Sequence, residues 1–488
     1  MESAGRAVAA VVTTRFPRPV RQGVLVAAGP GNNGGDGWVI ARALAALGVS
    51  VWVVGPAEPA SELCRLEAKL ARNAGVREVE PLGPWPAVGL VIDALLGTGA
   101  TGPPRPPFAD LLSRLEELAL PVVAVDGPTG LDLDTGVSHH SIRTNLTVTF
   151  GGYRRGHLLA RDEVGDLVVV DAGFTAPDTA WPRFFTEADA AQAAVPLPSM
   201  SHKGSRGRVV ILGGDAGMTG AARLAARSAF AGGAGLVHVI APEASVAVLA
   251  TAEPDLQTTA SSFDQLSEPA LALLGRADVV VIGPGLGRAP GRAALVMAAA
   301  RATTAPLVID ADGLMAFAGR AGDLALCGGE RSLILTPHAG EFRALFPTLA
   351  ADLATDPWRV AAAAAAAAGA TVVLKGVPTV VARRGAAPVT VAAGNPGLAT
   401  GGSGDTLSGL VAAWLGQGTD PVTAAALAAR ALGDAADFAA RRFTARGVRP
   451  MDVIAALGDV WRLYDMTRRA PSAPQAPVLH ELAAPLRV

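Results

Sequence analysis

Residues 395–417, NPGLATGGSGDTLSGLVAAWLGQ, run from a turn of small residues into an apolar segment, and a helix is predicted over 406–417. Asp405 then stands at a helix start, where backbone N–H groups and the helix dipole hold a phosphate. A carboxylate there takes a proton from a hydroxyl while fixed dipoles stabilise charge on phosphate oxygens. Gly401, Gly402, Ser403 and Gly404 favour close backbone approach to a ligand. The plainer reading makes Asp405 a helix N-cap, a common place for Asp.

Four apolar segments upstream read as strands of an α/β fold. VVLKGVPT at 372–379 delivers Lys375-Gly376, and LILTPHAGE at 333–341 ends in His338 and Glu341. LVIDADG at 307–313 ends in Asp310 and Asp312, and ADVVVIGPGLG at 277–287 ends in glycines. Polar residues at the same end of four strands imply one crevice, because open α/β sheets bind ligands beyond the carboxyl ends of their strands. Taken singly, Lys375 also reads as a solvated strand end, His338 as a turn residue and the Asp pair as an N-cap.

The front half has its own glycine loop. VLVAAG at 24–29 is an apolar strand, GPGNNGGDG at 29–37 a loop, and 38–47 a helical pattern. Gly29, Gly31 and Gly34 satisfy G-x-G-x-x-G, a weak dinucleotide signal alone. Asp36 opposes it by placing negative charge where a pyrophosphate would lie. VSVWVVGPAEPA at 49–60 also lacks the acidic residue that closes the second strand of a dinucleotide site. Asn32 and Asn33 instead offer paired amide donors and acceptors. GLVID at 89–93 leads into LLGTGATGP at 95–103, and PVVAVD at 121–126 into GPTG at 127–130. Oxygens of Asn33, Asp93 and Thr129 suit a hard, alkali-type cation; solvated turns are the alternative.

Alternating strands and helices over 488 residues, half of them apolar, indicate two α/β domains with sizeable cores. With 41 basic against 43 acidic residues, nothing points to nucleic acid or an anionic membrane as partner. The two cysteines, Cys64 and Cys327, form no framework, which suits a reducing cytoplasm. No secretory signal is visible at the N-terminus. The alanine-rich run 360–374 is too short and weakly apolar to span a bilayer, and reads as a helix feeding a strand. A homo-oligomer acting on small molecules is expected.

Lys203-Gly204, GGDAGMTGAA at 213–222, GPGLG at 283–287, TPHAGE at 336–341, KGVPT at 375–379 and NPGLATGGSGD at 395–405 together resemble the ADP-dependent NAD(P)H-hydrate dehydratases. The resemblance spans about 200–460 and implies a ribokinase-like fold. It also implies hydrate binding at Ala222, Gly285, Gly287, His338 and Asp405, with Asp405 as the base. Nucleotide binding falls to Lys375, Gly376, Val377, Pro378, Thr379 and Gly404, and magnesium placement to Glu341. Ala339 departs from the family's frequent Pro, and Ala231 from its frequent Arg.

GNNGGDG, DALLGTGATG and DGPTG resemble the NAD(P)H-hydrate epimerase domain, a Rossmann-like α/β/α sandwich, over residues 1 to about 180. This implies hydrate binding at Asn32, Asn33, Gly34, Gly35, Asp36, Gly97, Thr98, Gly99, Ala100, Thr101, Gly102, Pro103 and Asp126. It also implies potassium at Asn33, Asp93 and Thr129. Thr129 stands where the family has Ser and keeps the oxygen ligand. Asp126 is the candidate acid/base. MESAGRAVAA resembles the family's Met-Glu-Asn-Ala-Gly helix, which normally follows another helical stretch; either the true start lies upstream or the domain lacks that helix.

The expectation is therefore an epimerase domain over 1–180, a dehydratase domain over 181–465 and a disordered tail over 466–488. Together they would repair hydrated NADH and NADPH, with ADP and Mg2+ in the second half and K+ in the first. The alternative is a ribokinase-like kinase for a vitamin precursor, fused to a non-catalytic binding domain.

Overall fold

VLVAA at Val24–Ala28 is buried throughout, as a parallel strand covered on both faces must be. Val24 and Val26 face one apolar cluster, Leu25 and Ala27 the other, the two-residue period of a strand. Residues 1–173, 178, 180–470 and 479–486 are described in this computed structural model. The chain divides into two units, Met1–Ala176 with Ser472–Ala484, and Pro177–Pro471 with Pro485–Val488.

The first unit's sheet places Val24–Ala28 between Val51–Val54 and Leu90–Ala94. Val122–Val125, Leu146–Phe150 and Asp166–Val170 continue beyond Leu90–Ala94, all parallel. The chain thus builds outward one way, returns, and builds outward the other way. The resulting switch point lies between Val24–Ala28 and Leu90–Ala94, where the C-terminal strand ends leave a crevice. The helix Asn32–Ala46 starts at Asn32, not at residue 38. Gly34 permits this early start, since a Cβ there would lie 1.7 Å from the Gly29 carbonyl oxygen. Asn32 to Asp36 are therefore the opening residues of the helix and not a loop.

The sheet's last strand comes from the far end of the chain. Leu479–Leu482 pairs antiparallel with Asp166–Val170, from Leu479 opposite Val170 to Leu482 opposite Leu167. Ala484 N–H donates to Asp166 at 2.7 Å, and the buried Arg161 guanidinium to Ala483 C=O at 2.9 Å. Arg15 pairs with Glu481. Residues 466–488 were expected to be disordered, yet Pro450–Arg469 is one helix and 479–482 a strand. The tail's Pro and Ala content concealed this because an open sheet edge supplies N–H and C=O partners to almost any extended segment. Residues 471–478 and 487–488 lie outside the described residues.

In the second unit, Gln257–Ala260, Leu236–Ala241, Arg208–Leu212, Val279–Ile282, Leu307–Ile309, Leu333–Leu335 and Thr371–Leu374 are adjacent and parallel. Thr379–Ala382 and Val389–Val391 extend the sheet antiparallel, and Arg183–Phe184 closes it. The predicted strand 372–379 is a hairpin: Thr371–Leu374 stops before Lys375, and Thr379–Ala382 runs back. The alanine run folds as the helix Pro357–Ala368 ahead of this hairpin. Among the described residues, no helix is long and apolar enough to cross a membrane.

Candidate active sites

Five parallel strand ends of the second unit converge on one crevice. Lys375 follows Thr371–Leu374 and donates to Asp310 Oδ1 at 2.9 Å; Asp310 follows Leu307–Ile309. Glu341 Oε2 lies 3.7 Å from the same ammonium. Burial opposes the Lys375 charge, but Asp310 and Glu341 outweigh it and hold the ammonium above the usual lysine range. Asp312 takes the Gly287 N–H at 3.1 Å and Arg288 Nε at 3.0 Å, tying the glycine turn of the neighbouring strand to this edge. Asp215 binds buried Arg292 at 2.9 Å on the other flank of Gly287.

The helix expected at 406–417 begins earlier, as Ser403–Gly416, with Gly402 at φ +98° as N-cap. Glycine adopts this left-handed backbone without a Cβ penalty. Asp405 therefore lies within the first turn and makes no capping hydrogen bond, so the N-cap reading fails. Burial and the nearby Asp310 push its carboxyl up to about 7, Glu341 and Asp312 adding and Lys375 opposing. A Cβ on Gly404 would come within 3.0 Å of Lys375 Nζ, which places this backbone directly against the ammonium.

His338 is locked by its own helix. Its Nδ1 accepts N–H bonds from Gly340 at 2.9 Å and Glu341 at 3.2 Å, while its own N–H donates to Glu341 Oε2 at 2.9 Å. This reciprocal capping fixes the neutral ring's proton on Nε2. Ala339 is the first helical residue, a position that suits Pro, so the departure there leaves the cap intact. Ala222 is buried against Gly214, behind the turn that carries Asp215. Val377 is exposed at the hairpin tip, and Thr379 donates to Gly376 C=O at 3.2 Å across its base.

The first unit's crevice is quieter. Asp93 is fully buried; Oδ2 accepts Thr129 N–H at 2.7 Å, and Oδ1 accepts Thr129 Oγ1–H at 2.8 Å and Leu95 N–H at 3.2 Å. Burial raises its carboxyl, against these three bonds. Asn33 packs beside Gly97, where a Cβ would sit 3.2 Å from its own, and its Nδ2 is buried without a partner. Burial likewise pushes Asp36 up to about 7, with the N-terminal amino group opposing and Asp126 and Glu67 adding. Its Oδ1 is buried without a hydrogen bond. Asp126 takes φ +67° at the end of Val122–Val125, and Thr149 donates to its Oδ1 at 2.9 Å. Residues 97–103 form a turn in which Thr98, Gly99, Thr101 and Pro103 are exposed.

The family description "NAD(P)H-hydrate dehydratase" matches residues 209–458, and "YjeF-related protein N-terminus" matches 1–156. The bifunctional NAD(P)H-hydrate repair enzyme Nnr of Escherichia coli (strain K12) is 38% identical over 463 residues, covering 92% of this chain and 87% of that protein. The chain belongs to the bifunctional NAD(P)H-hydrate repair enzymes. Its relative of the same description from Moorella thermoacetica is 36% identical over 478 residues, 92% of this chain and 89% of that one. The structure of the ADP/ATP-dependent NAD(P)H-hydrate dehydratase from Bacillus subtilis, co-crystallised with ATP/Mg2+, superposes with TM-score 0.51 at 27% identity. It covers 58% of this chain and 99% of its own.

For a repair enzyme of this family, the motifs located most of both crevices but not their internal wiring. Asp310 and Asp312 of LVIDADG were placed at the crevice by their strand end, but no partner or role could be assigned to either from the sequence. Asp215 and Arg292 were not anticipated, and no signal short of their contact pairs them. Thr149 and His157, which hold Asp126, sit in unremarkable strand and helix segments.

Proposed function

We propose that the chain repairs hydrated NADH and NADPH, the first unit interconverting the R and S hydrates and the second dehydrating S with ADP. The observation that carries this is Asp405: a first-turn carboxylate that caps nothing, beside Lys375 and a glycine backbone. Water leaves a ring carbon poorly at neutral pH, and phosphorylation supplies a better leaving group. Asp405 takes the proton of the hydrate hydroxyl as its oxygen bonds to the terminal phosphorus of ADP and the bond to AMP breaks. The ring nitrogen's electron pair then expels phosphate, and loss of a proton from the adjacent carbon restores the dihydropyridine. Products are NAD(P)H, AMP and phosphate.

Lys375, the Gly376 to Thr379 hairpin and Gly404 hold the phosphates; His338 and Asp405 face the hydrate, with Ala222, Gly285 and Gly287 shaping its pocket. The carboxylates of Asp310, Glu341 and Asp405 outnumber the one ammonium, a surplus that suits Mg2+ arriving with the nucleotide, with Glu341 helping to place it. Bound there, magnesium would screen the phosphate charge.

In the first unit, Asn32 to Asp36, the 97–103 turn and Asp126 receive the hydrate. Asp36, with its raised carboxyl, gives a proton to the departing hydroxyl as the ring nitrogen forms an iminium. Water adds to the opposite face and yields its proton to Asp126. The buried, partnerless amide nitrogen of Asn33 gives way to the amide oxygen after half a turn; with Asp93 and Thr129 that oxygen makes an oxygen-only set suited to K+. Both cysteines are free and buried, in keeping with the cytoplasm, and a homo-oligomer is proposed.

The test is restoration of NADH absorbance from mixed R and S hydrates with ADP, and chromatography of the spent nucleotide. Consumption of both epimers with AMP formed in step is expected. A retained phosphorylated product would establish the kinase alternative, and a nucleotide-independent reaction would overturn the mechanism.

A further inference from the structure

His157 is fully buried in the first unit and belongs to none of the sequence motifs that mark the crevice. Both of its ring nitrogens are used. Nδ1 accepts the Arg154 N–H at 3.0 Å, so in the neutral ring the proton is on Nε2, which meets the Asp126 carbonyl oxygen at 2.7 Å. Only this tautomer satisfies both contacts, since an amide N–H requires an acceptor and a carbonyl a donor. Burial holds the imidazole down to about 3, against the Asp126 contact and with Arg154 and Arg161 reinforcing it, so the ring stays neutral across the physiological range.

The residue it binds needs holding. Asp126 has φ +67°, a backbone region that residues with a Cβ occupy at a cost and that persists where surroundings over-determine it. Three bonds do so: Asp126 N–H to Val148 C=O at 2.7 Å, its C=O from His157, and its Oδ1 from Thr149. The first is an ordinary strand bond and the third orients the carboxylate. The His157 bond fixes the carbonyl of the strained peptide. Gly156 secures the imidazole from behind, its N–H donating to Leu133 C=O at 2.7 Å, where a Cβ would come within 2.6 Å of Asp132 C=O.

We propose that His157 is a positioning residue for epimerisation, which holds Asp126 in the left-handed conformation that turns its carboxylate toward the hydrate. The proposal rests on the reading of Asp126 as the proton acceptor of the first unit. His157 itself touches no substrate and transfers no proton.

The test compares His157→Phe, which removes both ring nitrogens, with His157→Gln, whose amide nitrogen reaches the position of Nε2 and keeps the donor to Asp126. In the full chain, kcat for epimerisation should fall roughly 10- to 100-fold in the Phe variant, the scale of a misplaced reacting group. KM should be little changed, and the Gln variant should recover most of the loss. Dehydration of pure S-hydrate in the same samples reports whether the second unit is intact. A crystal structure of the Phe variant should show Asp126 released from positive φ. Unchanged kcat in the Phe variant, equal losses in Phe and Gln, or Asp126 unmoved in the crystal would each overturn the proposal. If the native chain epimerises no faster than the spontaneous reaction, the reading of the first unit fails, and the crystal comparison still decides whether His157 positions Asp126.

Discussion

The two crevices each hold one aspartate pushed up to about 7, Asp36 in the first and Asp405 in the second. Burial is the leading cause in both, yet the surroundings differ. Asp405 lies among Asp310, Glu341 and Asp312 with Lys375 between them, a charged cluster that suits a polyphosphate and its metal. Asp36 has Asp126, Glu67 and the N-terminal amino group as charged company, with the buried, partnerless amide nitrogen of Asn33 in its helix, a setting without a lysine to receive a phosphate chain. In the proposed reactions one carboxyl shift would serve opposite ends: Asp405 acts once it has lost its proton, Asp36 while it still has one. The comparison teaches that a perturbed aspartate names a site but not its reaction, and that the neighbouring charges decide which protonation state works.

The sharpest way to break the comparison is Asp405→Asn, which keeps the shape and removes the base. Dehydration of S-hydrate should fall by at least the roughly 100-fold typical of general-base loss, while R-to-S interconversion continues and ADP still binds. Near-native turnover of S-hydrate, followed by NADH absorbance, would remove Asp405 from its role.

How much of this was legible beforehand differs between the units. The second crevice could be read because most of its residues sit at strand ends within short motifs: Lys375 and His338 follow their strands as expected, although the helix that carries Gly404 begins at Ser403 and not at 406. The first was read by loop, and its helix start was missed. Nothing in GPGNNGGDG states that Gly34 packs onto Gly29 tightly enough to start the helix at Asn32. The strand Leu479–Leu482 was illegible for another reason: four residues carry little period, and their partner Asp166–Val170 lies more than 300 positions earlier, a pairing no local pattern encodes. The His157 bond to Asp126 is a long-range contact of the same kind.

A pH series sharpens the contrast. With Asp405 required as base and Asp36 as acid, kcat/KM for dehydration should drop about tenfold per unit below pH 7, and that for epimerisation should decline above it. Parallel profiles would refute the assignment of opposite roles. Stability carries its own sign: both folded carboxyls lie above the ordinary 3.8. The folded state therefore binds the extra proton, and its advantage is complete below pH 3.8 and lost as pH rises toward 7. Asp405→Asn escapes that loss, so by calorimetry its second-unit transition should exceed the native one at pH 8 and approach it near pH 4.

The smallest effect concerns the strand that completes the first unit. Leu482 is buried where Leu479–Leu482 pairs with Asp166–Val170, and its neighbour Ala483 supplies a carbonyl to the buried guanidinium of Arg161. Leu482→Asp places a carboxylate at that buried position and loses about 2 kcal/mol of apolar burial. The resulting release of the strand would leave Asp166–Val170 as an open edge. The first unit's melting transition should fall by several degrees, while the second unit's transition and the dehydration of S-hydrate at 25 °C stay as they were. If the strand instead only rests on the edge, neither transition will move. A fall in both would mean that Leu482 stabilises more than the first unit, and the two units would then have to be treated as one cooperative structure and not as two sites with separate fates.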